Sequence, residues 1–138
     1  MFPLIFLRPL RGAHGRNWPG IAVIDPDAPH REAVAAQEIW EAGHKMNPVN
    51  LIPVLISRKA RRRMEIMGHE VEVQAAALIL GRDQTRYRAA EIAAMKRGYG
   101  GLFDAMSNRD LRMAMAARSA EARKWVRTNR ARLMRMEP

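Results

Sequence analysis

Between Ser57 and Gly81 the apolar residues Ala60, Met64, Met67, Val71, Ala75 and Leu78 recur every three or four positions. That spacing is one stripe of an amphipathic α-helix, so the run predicts a helix from Ser57 to Leu80. Ser57 supplies a side-chain oxygen for the free N–H groups of the first turn, and Gly81 accepts the left-handed backbone that ends a helix. A helix of this length dominates a chain of 138 residues, and the other elements must pack along it. Gly68 weakens the helix slightly and gives a neighbouring helix room to come close. Its opposite side opens with Arg58, Lys59, Arg61, Arg62 and Arg63, like charges that oppose the positive end of the helix dipole.

The remaining pattern is also mainly helical. A helix is predicted from near Asp27 to Gly43, with Asp25 or Asp27 as cap and Pro26 or Pro29 in an early position. Residues 44–56 read as a connection, interrupted by Pro48 and Pro53, whose Leu51, Ile52, Val54, Leu55 and Ile56 lie against the core. A shorter helix is expected from Gln84 to Arg97, and Ser107 or Asn108 caps a long one reaching towards Met136. At the other end, Leu4–Leu7 and Ile21–Ile24 are β-favouring runs separated by glycine and proline, a small two-stranded element. The expected fold is therefore mainly α: a helical core domain with an N-terminal arm (1–97), a Gly-rich hinge (98–106) and a basic C-terminal helix (107–138). Hydrophobic residues make up 48% of the chain but aromatic ones only 6%, so the core is rich in Ala and Met and adaptable.

Charge and cysteine content narrow the chemistry. The net charge of +10 favours polyanions: nucleic acid, an anionic membrane surface or an acidic protein face. There is no cysteine, which excludes disulfides, zinc knuckles and a thiol nucleophile, so a metal would need His and carboxylate ligands. Met1–Leu7 has no basic residue ahead of its apolar stretch and ends at Arg8, unlike a secretory signal. No segment offers about 20 uninterrupted apolar residues for a bilayer span. The expected location is the cytoplasm of the producing cell, with incorporation in a virion as a further expectation.

One segment has a metal-site pattern. In His30-Arg31-Glu32-Ala33-Val34-Ala35-Ala36-Gln37, residues His30, Val34, Gln37 and Glu41 share one helical face. With the later stretch 63–74, which contains Glu65, His69, Glu70 and Glu72, it resembles the small zincin-like metallopeptidases often encoded by phages. In that family two histidines one turn apart bind zinc, the Glu after the first is the general base, a Gln follows the second, and a further acidic ligand lies on a second helix. The resemblance covers roughly residues 18–80. It assigns His30 to the first zinc histidine and Gln37 to the trailing glutamine. Arg31 then stands at the catalytic Glu and Val34 at the second histidine, and neither side chain can do that work. It implies a scaffold without an intact catalytic centre, and no catalytic residue is assigned. A rebuilt metal site, with Zn as cofactor, would draw on His30, Glu65 and His69, with Glu72 close by. Against it stands the reading that Glu65 and Glu72 pair with nearby arginines and that His69 is an ordinary surface histidine.

The second half carries charge. Residues 105–138 hold nine Arg or Lys against three acidic residues, a net +6, on a helix whose apolar face is Leu111, Met115, Ala122, Val126, Leu133 and Met136. The leading expectation is a non-catalytic, phage-type accessory or virion-associated protein. Arg61, Arg62, Arg63, Arg123, Lys124, Arg127 and Arg130 would bind a partner protein, or nucleic acid through its phosphate backbone, with membrane-surface contact as a further use. The alternatives are a metal-dependent hydrolase with the rebuilt site and a structural subunit of a larger assembly.

Overall fold

The computed structural model describes residues 2–136; Met1, Glu137 and Pro138, the outermost residues of the expected arm and basic tail, lie outside them. The fold is mainly helical, with a small N-terminal sheet. In order come β1 (Leu4–Leu7), β2 (Gly15–Trp18), β3 (Ile21–Ile24), α1 (Arg31–His44), α2 (Pro48–Ile56), α3 (Arg58–Leu80), α4 (Gln84–Arg97), a 3-10 turn (Tyr99–Gly101), α5 (Asn108–Ala116) and α6 (Ser119–Met134).

The sheet has three strands, not the two expected. Its order is β1-β3-β2, with β1 parallel and β2 antiparallel to β3. The unexpected strand, Gly-Arg-Asn-Trp, has no β-branched residue and a glycine at its start, so it carries little propensity of its own. Pairing with β3 makes it a strand. Its partner residues Ala22 and Ile24 point into the core against α1.

α3 forms as its sequence predicts. Ser57 Oγ accepts from the Ala60 amide at 3.2 Å, and Gly81 ends the helix at φ 67°. Every residue from Met64 to Ala76 is buried, so this stretch of α3 is enclosed on all sides, while Arg58, Lys59, Arg61 and Arg63 of its first turns are exposed. One side, with Met67, Val71 and Ala75, packs into a core shared by the sheet, α1 and α6. Another, with Ile66 and Val73, packs into a second core with Ile92, Met95, Leu102, Phe103, Leu111 and Met115. α4 keeps its predicted bounds, and Asp83 Oδ1 caps it by accepting from the Arg86 amide at 2.9 Å.

Four expectations are corrected. α1 starts at Arg31, after a His30 held in the left-handed region at φ 56°, and neither Asp25 nor Asp27 caps it. Asp25 instead accepts from the Leu10 and Asp27 amides, tying the loop before the helix; these bonds hold its carboxyl below the usual aspartate range. Residues 48–56 form helix α2, with Asn47 as cap and Pro48 in the first turn, where the missing N–H costs nothing. Of its apolar residues only Val54 is buried, whereas Ile52, Leu55 and Ile56 face outward. The C-terminal helix is two helices, broken at Ala117–Arg118, where Arg118 folds back to the Ala114 carbonyl and Ser119 Oγ donates to Glu70. The apolar face predicted for it is buried, so this region is part of the core and not an appendage. Segment 98–106, expected as a hinge, is anchored by buried Leu102 and Phe103 and by Lys96, which donates to the Phe103 and Met106 carbonyls.

Candidate metal centre

Enclosure of α3 turns its polar residues inward. Glu65, His69 and Glu72 share one face of a helix, at spacings of four and three. That face meets α1, which brings Gln37, Glu38 and Glu41, and α4, which brings Tyr87 and Glu91. Glu38, Glu41, Glu65, His69 and Glu72 are all buried, and Glu91 is half-buried. None of these carboxylates is paired with a lysine or arginine among the described residues.

His69 lies at the middle of the cluster. Its Nδ1 is 2.5 Å from Glu91 Oε2; its Nε2 is 2.7 Å from the Tyr99 hydroxyl and 3.3 Å from Gln37 Nε2. One neutral tautomer satisfies all three: Nδ1–H donates to Glu91, and Nε2 accepts from Tyr99 and Gln37. Tyr99 reaches this position from a left-handed backbone at φ 58°. Tyr99 and His30 are the only non-glycine residues of positive φ among those described, and each stands beside the cluster. Strain of this kind, of order 1–3 kcal/mol, persists where surrounding packing fixes a side chain for use.

On the Nδ1 side, one ligand atom each from His69, Glu72 and Glu91 lies within 4.8 Å of the others. Tyr87 donates its hydroxyl to Glu72 Oε2 at 2.7 Å. Burial raises the Glu72 carboxyl well above the usual glutamate range, and the Glu91 carboxyl beside it adds to the shift. Burial raises Glu91 as well. Tyr87 is held in its protonated form, first by burial and then by Glu72. Without an ion, the two carboxylates therefore share protons; two charges at this separation in a low dielectric cannot both persist.

The group opens onto a cleft of about 530 Å³ whose walls include His30, Val34, Tyr87, Arg82 and Arg86, with Glu72 and Glu91 also exposed to it. Three positions singled out in the sequence by their likeness to a zinc site (His30, Val34 and Glu72) thus share one cavity. The structure does not bring the full expected set together. His30 stands edge-on to Tyr87, with ring centroids 5.5 Å apart, and is outside the three-ligand group. Glu65 is on the far side of His69, beside Glu41. Nor do Glu65 and Glu72 pair with arginines. The glutamate of α3 that does is Glu70, which takes Arg88 at 2.9 and 2.7 Å. Arg31, at the catalytic-Glu position of the resemblance, turns away to the Met136 carbonyl.

Glu91, Tyr87, Tyr99, Glu38 and Asn17 escaped the sequence reading. Two signals were available: Glu91 is a lone carboxylate in Ala-Ala-Glu-Ile-Ala-Ala one turn after Tyr87, and Glu38 and Glu41 lie one turn apart in an alanine-rich helix.

The basic residues do not form one surface. Ser119 bonds Glu70 and Arg123 bonds Gln74, four residues on in both helices, so α6 runs parallel to α3. Arg127 and Arg130 therefore lie beyond the level of Gln74, more than about 18 Å along α3 from Arg62 at 1.5 Å per residue. Arg123 is partly engaged with Gln74. No helix among the described residues is long and apolar enough to cross a membrane. Comparison of the chain with protein-family models, curated proteins and solved structures finds no match.

Proposed function

We propose that the chain is a metal-dependent hydrolase whose ion is held by His69, Glu72 and Glu91 at the floor of the cleft beside α4. The observation that carries this reading is the convergence of one imidazole and two carboxylates within 4.8 Å, with no lysine or arginine paired to them among the described residues. The donor set fits zinc or a similar divalent transition metal: one nitrogen and two oxygens, fewer ligands than a closed structural site uses. Such an ion supplies Lewis acidity toward a carbonyl or phosphoryl oxygen.

The chain's own residues do the rest. Tyr87 orients Glu72 through its hydroxyl, and Tyr99 and Gln37 fix the His69 ring from the Nε2 side, as outer partners of a ligating histidine do. With Nδ1 given to an ion, the ring would carry its proton on Nε2, where the Tyr99 oxygen would accept it and the Gln37 amide would keep only its bond to Glu41. His30, on the cleft wall, is the group placed to exchange a proton with a bound substrate. Arg82 and Arg86, both exposed on the same wall, favour a substrate bearing a carboxylate or phosphate. In this reading the zincin-like character suggested by His30, Gln37 and Glu72 survives with a changed ligand set.

Protein purified without chelator should carry close to one transition-metal ion per chain by elemental analysis. It should cleave members of a panel of quenched peptides and phosphoesters, and lose both properties in Glu91→Gln. Metal-free protein that takes up no added zinc, or turnover that survives Glu91→Gln, removes the proposal.

A second reading concerns where the chain works. Val49, Ile52, Leu55 and Ile56 of α2 are 77, 56, 71 and 81% exposed, and the next turn carries Arg58, Lys59, Arg61, Arg62 and Arg63 without an acidic partner among the described residues. An apolar helix followed by a basic turn suits the surface of an anionic membrane, where acyl chains take the first and lipid phosphates the second. Co-sedimentation with phosphatidylglycerol vesicles, lost in Ile52→Asp/Leu55→Asp and weak on phosphatidylcholine, is the expected result. Equal binding to duplex DNA by that variant and the parent would move the basic turn to nucleic acid instead.

A further inference from the structure

The carboxylates on the Nε2 side of His69 are not used by the reading above. Glu38 and Glu41 of α1 and Glu65 of α3 line a separate pocket of about 320 Å³, together with Asn17, Trp18, Tyr99 and the exposed Arg16. Its lining shares no residue with that of the cleft beside α4.

We propose that this pocket is a second cation site, built from oxygen donors alone and suited to a hard ion such as Ca²⁺ or Mn²⁺. Three carboxylates without a nitrogen ligand select hard cations, whereas the imidazole-containing group favours zinc.

The central observation is Glu41. It is 2% exposed, and its Oε1 accepts no hydrogen bond from any described residue. Its Oε2 is served by Asn17 Nδ2 at 3.3 Å and Gln37 Nε2 at 3.4 Å. A buried carboxylate oxygen with no donor is strongly unfavourable unless a cation or proton meets it. Oε1 belongs to a carboxyl that lies against the Glu65 carboxyl, where neither partner has a donor to offer while ionised.

The surroundings are arranged for carboxylates. Two glycines give them space: a Cβ on Gly68 would lie 3.0 Å from Glu41 Cγ and Cδ, and one on Gly15 would lie 2.6 Å from Glu38 Cγ. Asn17 Nδ2 donates to Glu38 Oε2 at 2.5 Å, and Lys45 Nζ donates to Asn17 Oδ1 at 2.7 Å. The lysine thus fixes the amide with its NH₂ toward the acids, while its own charge stops one residue short of them. Tyr99 closes the pocket from the side of His69. The raised proton affinity of Glu38 and Glu41, driven mainly by burial, agrees with this geometry.

Terbium, a hard trivalent ion excited by energy transfer from a nearby indole, tests the site through Trp18. Titration of the full chain with Tb³⁺ should give sensitised emission that saturates near one ion per chain and is displaced by excess Ca²⁺. With excitation in the band where tryptophan alone absorbs, so that Tyr99 does not sensitise the ion, Trp18→Phe should lose the emission and keep the Tb³⁺-induced rise in melting temperature. Glu41→Gln and Glu65→Gln, isosteric changes that remove repulsion and so leave a folded chain, should lose both signals. Glu91→Gln should keep both, which separates this site from the hydrolytic reading. The absence of both emission and thermal shift overturns the proposal, as do signals that survive Glu41→Gln and Glu65→Gln. Signals lost in Glu91→Gln also overturn it, because they assign the ion to the histidine side.

Discussion

Glu70 and Glu72 stand two residues apart on α3, are both buried, and have opposite fates. Glu70 receives Arg88 twice, Gln74 at 2.7 Å and Ser119 at 2.9 Å. Its negative charge has a protein cation and a full set of donors, and it joins α3, α4 and α6 at one point. Glu72 has the Tyr87 hydroxyl and a carboxyl neighbour, and no lysine or arginine partner among the described residues. A buried acid neutralised by an arginine belongs to the architecture. One left to share protons with a second acid is held in readiness for something that is not protein.

The largest expected effect lies on the architectural side. Removing one partner of a buried, hydrogen-bonded ion pair leaves the other charge uncompensated, typically at about 3–5 kcal/mol. Arg88→Ala should therefore lower the urea midpoint strongly, by a loss of that order. Glu72→Gln, two residues from the arginine's partner, should leave the metal-free chain as stable or raise its stability by roughly 1 kcal/mol, since it removes a repulsive charge. Similar losses in both variants would erase the distinction between the two glutamates.

Next in size is the response to pH. Burial, eased by the Asn17 bond but reinforced by Glu65 and Glu72, raises the Glu38 carboxyl from 4.5 to about 7. The folded state then binds more protons than the unfolded one across that interval, so stability is full below pH 4.5 and falls as pH rises towards 7. At roughly 1.4 kcal/mol per pH unit, Glu38 alone accounts for roughly 3 kcal/mol. Glu41, Glu72 and Glu91 are shifted in the same direction. Metal-free protein should melt highest near pH 5 and progressively lower towards pH 8. Saturating Ca²⁺ and Zn²⁺ should flatten that slope by replacing the shared protons. A melting temperature that climbs between pH 5 and 7 without ions contradicts the picture of proton-sharing acids.

The same contrast explains which parts of the molecule could be read from sequence. Caps and stops are local chemistry, so Ser57, Gly81 and the bounds of α4 were legible. A helical wheel puts Glu65, His69 and Glu72 on one face, but not which way that face points; burial of α3 on every side is a property of the whole packing. Charged faces ordinarily look outward, so nothing local separates Glu65 and Glu72 from glutamates that pair with surface arginines. Glu91 and Tyr87 come from another helix, and Asn17 from a strand that exists only through pairing with β3. The break before Ser119 has no local cause in an alanine-rich sequence. It serves the long-range bond to Glu70. Apolar α2 misled in the opposite direction: its composition suggested core, and most of its apolar side chains are exposed.

The smallest expected effect separates space kept for chemistry from space left over. Glycine inside a helix costs about 1 kcal/mol relative to alanine, so Gly→Ala stabilises wherever the new methyl meets nothing. Gly43 of α1 is such a place, its nearest neighbour being Pro3 Cγ at 3.7 Å. Gly43→Ala should raise stability by roughly 0.5–1 kcal/mol. At Gly68 the same gain is set against a methyl 3.0 Å from two carbons of Glu41, and the carboxyl must shift by a few tenths of an ångström. The net change in unfolding free energy should be near zero, while Tb³⁺ affinity falls. A clear stabilisation of Gly68→Ala with unchanged ion binding would mean that Glu41 moves freely, and that the glycine answers only to the closeness of two helices.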